Sequence, residues 1–116
     1  MRILMVALAA TLLAGCAGSV MDDARTKTPY KVLTSDKAEK DVARCVQFGW
    51  QDEAVFGVDA AAYLEPRKAG GTTVYTRSAE SFVDVTSDAS GTVLNYYAQK
   101  DDFVAKRRLA ALATCL

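Results

Sequence analysis

The chain has 116 residues, in which 14 lysines and arginines balance 14 aspartates and glutamates, and it contains no histidine. This length fits one domain at most, the apolar content of 51% excludes wholesale disorder, and the zero formal charge gives no reason to expect a nucleic-acid partner. No apolar run reaches the roughly twenty residues of an ordinary membrane-spanning helix, and the absence of histidine excludes Ser-His-Asp catalysis, Cys-His catalysis and histidine-containing metal sites.

The first fifteen residues have the pattern of a secretory signal peptide. Arg2 supplies one positive charge, and the uncharged stretch from Ile3 to Gly15 is rich in Leu, Ala, Met and Val. This stretch is too short to span a bilayer, and it ends in small residues, as cleaved signal peptides do. We therefore predict that residues 1–15 are removed. The alternative is that they form an N-terminal core helix of the fold.

The end of the apolar stretch indicates which kind of signal peptide this is. Leu13-Ala14-Gly15-Cys16 places a branched apolar residue and two small residues before a cysteine, and it resembles the lipobox of bacterial lipoproteins. The resemblance implies that the Cys16 thiol receives a diacylglyceryl group, that the chain is cleaved before Cys16, and that the new amino group is acylated. Three acyl chains make a stable anchor, since each buried methylene contributes about 0.8 kcal/mol. In the lipoproteins that this motif resembles, an Asp directly after the cysteine favours retention at the inner membrane. Ala17 occupies that position here, so the resemblance implies that the protein is anchored on the periplasmic side of the outer membrane.

After the anchor, the sequence predicts a tether and then a helix. Residues 16–34 are interpreted as the lipidated cysteine and a flexible tether, because the segment is polar, contains Pro29 and shows no sustained period. The single domain is predicted over residues 35–116, and Ser35 is placed to cap a helix that ends near Gln51. The helical period puts Cys45 on the inward, apolar face of this helix.

Residues 52–71 carry weaker signals. Val55 and its apolar neighbours indicate a short strand, and Asp59 is placed to cap a brief helix that stops at Pro66. Two glycines at the end of the segment, Gly70 and Gly71, indicate a turn.

The C-terminal part predicts a sheet followed by a helix. Three strands rich in Val, Thr and aromatic residues are predicted at Thr72–Thr76, Ser81–Thr86 and Thr92–Tyr97, the last two as an antiparallel hairpin. A final helix is predicted over Asp101–Leu116, with Cys115 at the edge of its apolar face. The sequence therefore predicts an α+β domain of order α-β-β-β-α. In it, a three-stranded antiparallel sheet carries both helices on one face, and a disulfide joins the helices.

Two cysteines remain once Cys16 is assigned to the anchor. Cys45 and Cys115 form an even pair in a compartment where disulfides persist. The chain has no CxxC motif and no histidine to activate a thiolate or complete a zinc site. We therefore predict a structural disulfide rather than redox or metal chemistry.

The face of the sheet away from the helices is the candidate partner-binding surface. Strand alternation puts Phe82 on this face, and the hairpin register decides whether Tyr97 or Tyr96 lies beside it. Together with Tyr75, the residues Phe82 and Tyr97 would form an exposed aromatic patch of the kind that marks interfaces. The alternative is that residues 52–66 fold over this face and bury it.

Charged residues give little support for catalysis. The carboxylate pairs Asp52-Glu53 and Asp101-Asp102 are adjacent in sequence, whereas paired-acid catalysis needs side chains that converge across a cleft. The run Lys106-Arg107-Arg108 is interpreted as a solvated helix face rather than an anion site. We therefore expect no catalytic residue, no cofactor, no metal and no small-molecule substrate.

The sequence as a whole favours a non-enzymatic lipoprotein of the bacterial envelope. Such a protein would contact the membrane through its lipid anchor and bind another envelope protein through the sheet face or an unpaired edge strand. The alternative is an anchored inhibitor or exclusion factor that blocks an incoming enzyme or phage component.

Overall fold

A computed structural model describes residues 17–116 of the chain. The predicted signal peptide and Cys16 lie outside the described residues. Among residues 17–116 there are three α-helices: α1 over residues 17–25, α2 over Glu39–Asp52 and α3 over Phe103–Ala113. The strands are β1 (Lys31–Ser35), β2 (Ala62–Pro66), β3 (Thr72–Thr76), β4 (Ser81–Asp88) and β5 (Gly91–Ala98). Short 3₁₀ turns cover Glu53–Phe56 and Arg77–Ala79.

The five strands form one antiparallel sheet in the order β1-β5-β4-β3-β2. β4 and β5 form the central hairpin, in which Asp88 lies opposite Gly91 and Phe82 lies opposite Tyr97. Tyr97, and not Tyr96, therefore shares a face with Phe82. Where β3 begins, Gly71 approaches β4 so closely that a Cβ would lie 2.5 Å from the Val85 carbonyl oxygen, which explains why glycine stands there.

The main core lies between α2, α3 and the first face of the sheet. Its buried side chains on the helices and the sheet include Val42, Val46, Trp50, Val74, Val83, Val85, Leu94, Tyr96 and Leu112. Two buried polar groups in this core are satisfied by backbone of α3. The Trp50 indole Nε1 donates to the Arg108 carbonyl at 2.9 Å, and the Tyr96 hydroxyl donates to the Ala105 carbonyl at 2.8 Å. Burial raises the pKa of Tyr96 to about 12.

The predicted disulfide is confirmed. Cys45 on α2 is bonded to Cys115, just beyond the end of α3, with the two Cα atoms 5.7 Å apart. Cys115 is buried, as its place at the edge of the apolar face suggested. Cys45 is exposed rather than inward, because the bridge leaves α2 on the flank that faces α3 and not on the flank that faces the sheet.

The predicted three-stranded sheet is wrong. The class is α+β, and α2 and α3 pack on one face as expected, but two further strands pair with the sheet edges and a third helix covers the second face. β1 occupies part of the predicted tether, and β2 replaces the brief helix predicted after Asp59. Pairing with β5 and with β3 supplies hydrogen bonds and burial that these short segments do not signal locally.

The segment predicted as a tether is ordered through most of its length. Residues 17–25 are helical, and Lys31–Ser35 is a strand. Ser35 is the last residue of β1 and not a helix cap. Its Oγ accepts from the Lys37 amide and donates to the Leu116 carbonyl, while Ala38 precedes α2. None of the helices within residues 17–116 is long and apolar enough to cross a membrane.

Candidate functional site

The second face of the sheet holds the three aromatic residues that the sequence singled out. Phe82 and Tyr97 stack with ring centroids 4.6 Å apart, and Tyr75 packs against them. α1 lies over this cluster through the buried Met21 and the half-buried Ala24. Phe82 is only 2% exposed and Tyr97 9% exposed, so they do not form the exposed patch that was the candidate partner-binding surface.

The cover over this cluster is also different from the expected one. The alternative prediction assigned the cover to residues 52–66, but Val55 and Phe56 in that segment are exposed. The covering helix instead comes from the predicted tether. Burial raises the pKa values of Tyr75 and Tyr97, because ionised phenols are poorly solvated beneath α1.

A buried ion pair fixes α1 to the sheet. Asp84 on β4 is 3% exposed, and Arg25 at the end of α1 binds both of its carboxylate oxygens, with Nε 2.7 Å from Oδ2 and Nη2 2.8 Å from Oδ1. The Thr73 hydroxyl donates to the same carboxylate at 2.7 Å. The guanidinium carbon of Arg25 also lies 5.2 Å from the centre of the Phe82 ring. The hydrogen bond to Asp84 raises the pKa of Arg25. The ion pair between Arg25 and Asp84 and the apolar contacts of Met21 together hold α1 on the sheet.

Two grooves flank α1 on the second face. One, of about 420 Å³, lies toward β5 and is lined partly by Lys27, Tyr30 and Asp23. The other, of about 400 Å³, lies toward the β2–β3 turn. Its lining includes three cations and two carboxylates, namely Arg25, Arg67, Lys68, Asp22 and Glu65. Both grooves therefore have mixed charge, and neither is selective for an anion or a cation.

The free edge at β1 exposes two residues' backbone groups. The Gln99 amide, one residue beyond β5, donates to the Glu80 carbonyl at 2.9 Å. Because a strand bonds to a given antiparallel neighbour at every second residue, the odd-numbered residues of β5 bond to β4 and the even-numbered residues bond to β1. The register of β1 then directs the N–H and C=O groups of Val32 and Thr34 away from the sheet. The Val32 side chain is 54% exposed.

The free edge at β2 is partly blocked. The Arg67 amide donates to the Gly71 carbonyl at 2.9 Å, so the odd-numbered residues of β2 bond to β3. The backbone groups of the even-numbered residues Ala62, Leu64 and Pro66 therefore point away from the sheet. The Ala62 carbonyl already accepts a hydrogen bond from the Gln47 side chain at 3.2 Å, and Pro66 has no N–H. Leu64 therefore keeps both its donor and its acceptor at this edge, and the side chains of Tyr63 and Leu64 are exposed.

The basic run on α3 does not form one solvated face. Lys106 is exposed. Arg107 makes two 2.9 Å hydrogen bonds to the buried Glu53 and lies 4.0 Å over the Phe56 ring. Arg108 is buried, and it donates to Glu80 at 3.1 Å and to Ser81 at 3.0 Å. The interpretation of this run as solvated is thus wrong for Arg108, because the helix turns that residue toward β4.

Three of the four carboxylates in the two pairs have structural roles. Glu53 is the partner of Arg107, whereas Asp52 is exposed. Asp102 caps α3 by accepting a hydrogen bond from the Ala105 amide at 2.9 Å, and Asp101 accepts one from the Tyr30 hydroxyl at 2.6 Å. Within residues 17–116, no group of three or more His, Cys, Asp or Glu side chains is placed to hold a metal ion.

Sequence reasoning missed the residues that organise the second face. Asp84 carries a signal that could have been used, since a carboxylate in the middle of a valine-rich strand needs a buried partner. Arg25 carries no such signal, because its segment has no apolar period. Comparison of the chain with protein-family models, with curated proteins and with solved structures found no match.

Proposed function

We propose that the mature protein is a lipid-anchored, non-enzymatic protein of the bacterial envelope. Its domain would bind another envelope protein by accepting an extended segment at the free edge of β1. The single observation that carries this proposal is the lipobox-like motif Leu13-Ala14-Gly15-Cys16, followed at once by a helix that packs on the sheet.

The place of α1 supports a close connection between anchor and domain. The first described residue, Ala17, is already helical, and α1 is tied to the sheet by Arg25 and Asp84. A lipid on Cys16 would therefore hold the second face of the sheet toward the membrane, without a long tether. Ala17 after the cysteine favours the outer membrane, and the Cys45–Cys115 disulfide is typical of an oxidising compartment such as the periplasm.

The β1 edge supports binding of a strand from another protein. Val32 and Thr34 direct two donors and two acceptors outward, in the spacing that an added strand needs. β1 contains no proline, and the exposed Val32 side chain offers an apolar contact beside these groups. The partner we propose is therefore an extended peptide segment of an envelope protein and not a small molecule.

Replacement of the lipidated cysteine tests the anchor. The Cys16→Ser variant should lose incorporation of an alkyne-labelled palmitate and leave the membrane fraction, because no other residue would carry acyl chains. Ser19→Ala is the matched control, since it changes an exposed hydroxyl three residues away and should stay labelled and membrane-bound. Continued membrane sedimentation of Cys16→Ser would refute the anchor.

A photocrosslinking side chain placed at Val32 tests the binding edge in cells. We expect a discrete crosslinked adduct with an envelope protein from position 32 and none from Lys40, which is exposed on α2. A Thr34→Pro change removes an outward N–H without removing a ladder hydrogen bond, so it should abolish the adduct while the protein stays folded. Equal adducts from positions 32 and 40 would contradict binding at β1. Adducts that form only after addition of lysozyme or phage would instead favour an anchored inhibitor or exclusion factor.

A further inference from the structure

We infer that β2 is a self-association edge, at which two copies of this chain pair antiparallel through their β2 strands to form one continuous sheet. The inference rests on the proposed function only in placing both copies on one membrane. Its evidence is the pattern of backbone donors and acceptors that β2 leaves at its free edge.

That pattern is complementary to itself in one register. When Leu64 lies opposite Leu64 of a second copy, each Leu64 N–H faces the other's carbonyl, and each Ala62 N–H faces a Pro66 carbonyl. The two defects of the edge also meet. Pro66, which has no N–H, lies opposite the Ala62 carbonyl, which already accepts from Gln47. No backbone group is left without a partner in this register.

The neighbouring registers do not achieve this. A shift that places Leu64 opposite Pro66 leaves a Leu64 carbonyl without a donor, because proline has none. A shift that places Leu64 opposite Ala62 makes Leu64 donate to a carbonyl that Gln47 already occupies. An unmatched strand from another protein would meet the same defects, so the edge favours its own copy over a general partner.

Side chains along the strand agree with the symmetric register. It brings the exposed Leu64 side chains of the two copies together on the first face, and it sets Tyr63 beside Glu65 of the second copy on the other face.

The symmetry of this pairing suits two lipid anchors. Antiparallel pairing of identical edges creates a two-fold axis perpendicular to the sheet, so the second faces of both copies look in the same direction. Both α1 helices then lie on one side of the continuous sheet. Two Cys16 anchors, if present, would reach the same membrane, and β1 of each copy would remain free at the outer edges.

Cysteine crosslinking of the full-length protein in its membranes tests the pairing. In the symmetric register the two Leu64 Cα atoms lie about 5.5 Å apart, within the range that a disulfide bridges. A Leu64→Cys variant should therefore form a covalent dimer under mild oxidant. The matched control is Val32→Cys on the other edge strand, and it should give about tenfold less dimer because its β-carbons are not brought to disulfide distance.

A pair of variants tests the register itself. Chains with Tyr63→Cys and chains with Glu65→Cys should crosslink to each other when produced together, since these positions lie directly opposite. Neither variant should dimerise well alone, because its own cysteines are offset along the strands. As a measurement without oxidant, sedimentation in detergent should give the mass of two chains for the unaltered protein and of one chain for Leu64→Pro.

The result that overturns the inference is absence of the Leu64→Cys dimer, or as much dimer from Val32→Cys. The crosslinking is repeated in the Cys16→Ser background, where position 64 provides the one cysteine outside the Cys45–Cys115 bridge. A dimer that persists there while the protein leaves the membrane confirms self-association independently of the anchor. If Leu64→Cys protein that still carries the lipid forms no dimer, self-association is refuted while the lipid anchor is not.

Discussion

Arg25 and Asp84 are 59 residues apart in sequence, yet they form a two-point ion pair beneath α1, with atoms 2.7 and 2.8 Å apart. This pair joins the segment next to the predicted lipid anchor to the middle of the sheet. Because Asp84 is buried, its charge depends on Arg25 and on the Thr73 hydroxyl for compensation. A second cation, Arg67, lies further away, with its Nε 3.7 Å from Oδ1 of Asp84. Residues 17–25 are thus part of the fold rather than a spacer.

Replacing Arg25 by Met should destabilise the protein by up to about 3 kcal/mol, because the buried Asp84 carboxylate loses its two short ionic hydrogen bonds and keeps only the more distant cation of Arg67, at 3.7 Å. The measurement is the free energy of unfolding from urea titration. The matched control is Lys27→Met, which removes an exposed ion pair with Asp23 at 3.5 Å and should leave the unfolding midpoint unchanged. Equal effects of the two variants would show that Arg25 does not hold α1 in place.

The neighbouring arginines of α3 should respond in opposite ways. Arg107→Met should lower the unfolding midpoint, because the buried Glu53 loses both of its hydrogen bonds. Arg108→Met should be neutral or stabilising. Its guanidinium is buried with an Nε that finds no partner among the described residues, and its carboxylate partner Glu80 is half-exposed and can be hydrated. A large loss of stability from Arg108→Met would contradict this assignment of roles.

The elements with a clear apolar period could be predicted from the sequence. α2, α3 and the strands β3, β4 and β5 all lie close to their predicted positions, because each has one face that must be buried in the main core. The disulfide could be predicted from cysteine count and compartment alone. These signals are local, so one sequence is sufficient to detect them.

The remaining elements could not be predicted, because their stability comes from distant residues. α1 contains the weak helix formers Gly18 and Ser19, and it is held by Asp84 and Phe82 on β4. β2 contains alanine and a terminal proline, and it becomes a strand through its pairing with β3. For the same reason the aromatic cluster at Phe82 could be predicted, but its burial beneath α1 could not.

Removal of the disulfide should destabilise the domain by roughly 4 kcal/mol in the chain-entropy account, because the bridge closes a long loop. Cys45 and Cys115 are 70 residues apart. The Cys45→Ser, Cys115→Ala double variant avoids a free thiol and a buried hydroxyl, and thermal unfolding measures its effect. Reduction of the unaltered protein should shift the melting temperature by a similar amount. An unchanged melting temperature in both experiments would contradict a stabilising bridge.

Stability should fall at alkaline pH through Tyr96. Burial raises the pKa of this phenol to about 12 from the ordinary 10.0, so the folded chain keeps a proton that the unfolded chain releases. The free energy of unfolding should therefore decrease as pH rises between about 10 and 12. Tyr96→Phe should reduce this decrease, while costing about 1 kcal/mol near neutral pH through the lost hydrogen bond to Ala105.

The control for this pH experiment is Tyr63→Phe, which removes an exposed phenol on β2. Unfolding free energies of the three proteins are compared at pH 8 and pH 11. We expect the unfolding free energy of Tyr96→Phe to differ less between the two pH values than that of the unaltered protein or of Tyr63→Phe. The same difference in all three proteins would show that Tyr96 does not govern the alkaline loss.

The most direct test of the proposed function is mass spectrometry of the N-terminal peptide of the protein isolated from membranes. We expect a peptide that begins at Cys16 and carries a diacylglyceryl group on its sulfur and a third acyl chain on its amino group. A chain that begins at another residue, or a Cys16 that carries no lipid, would contradict the account.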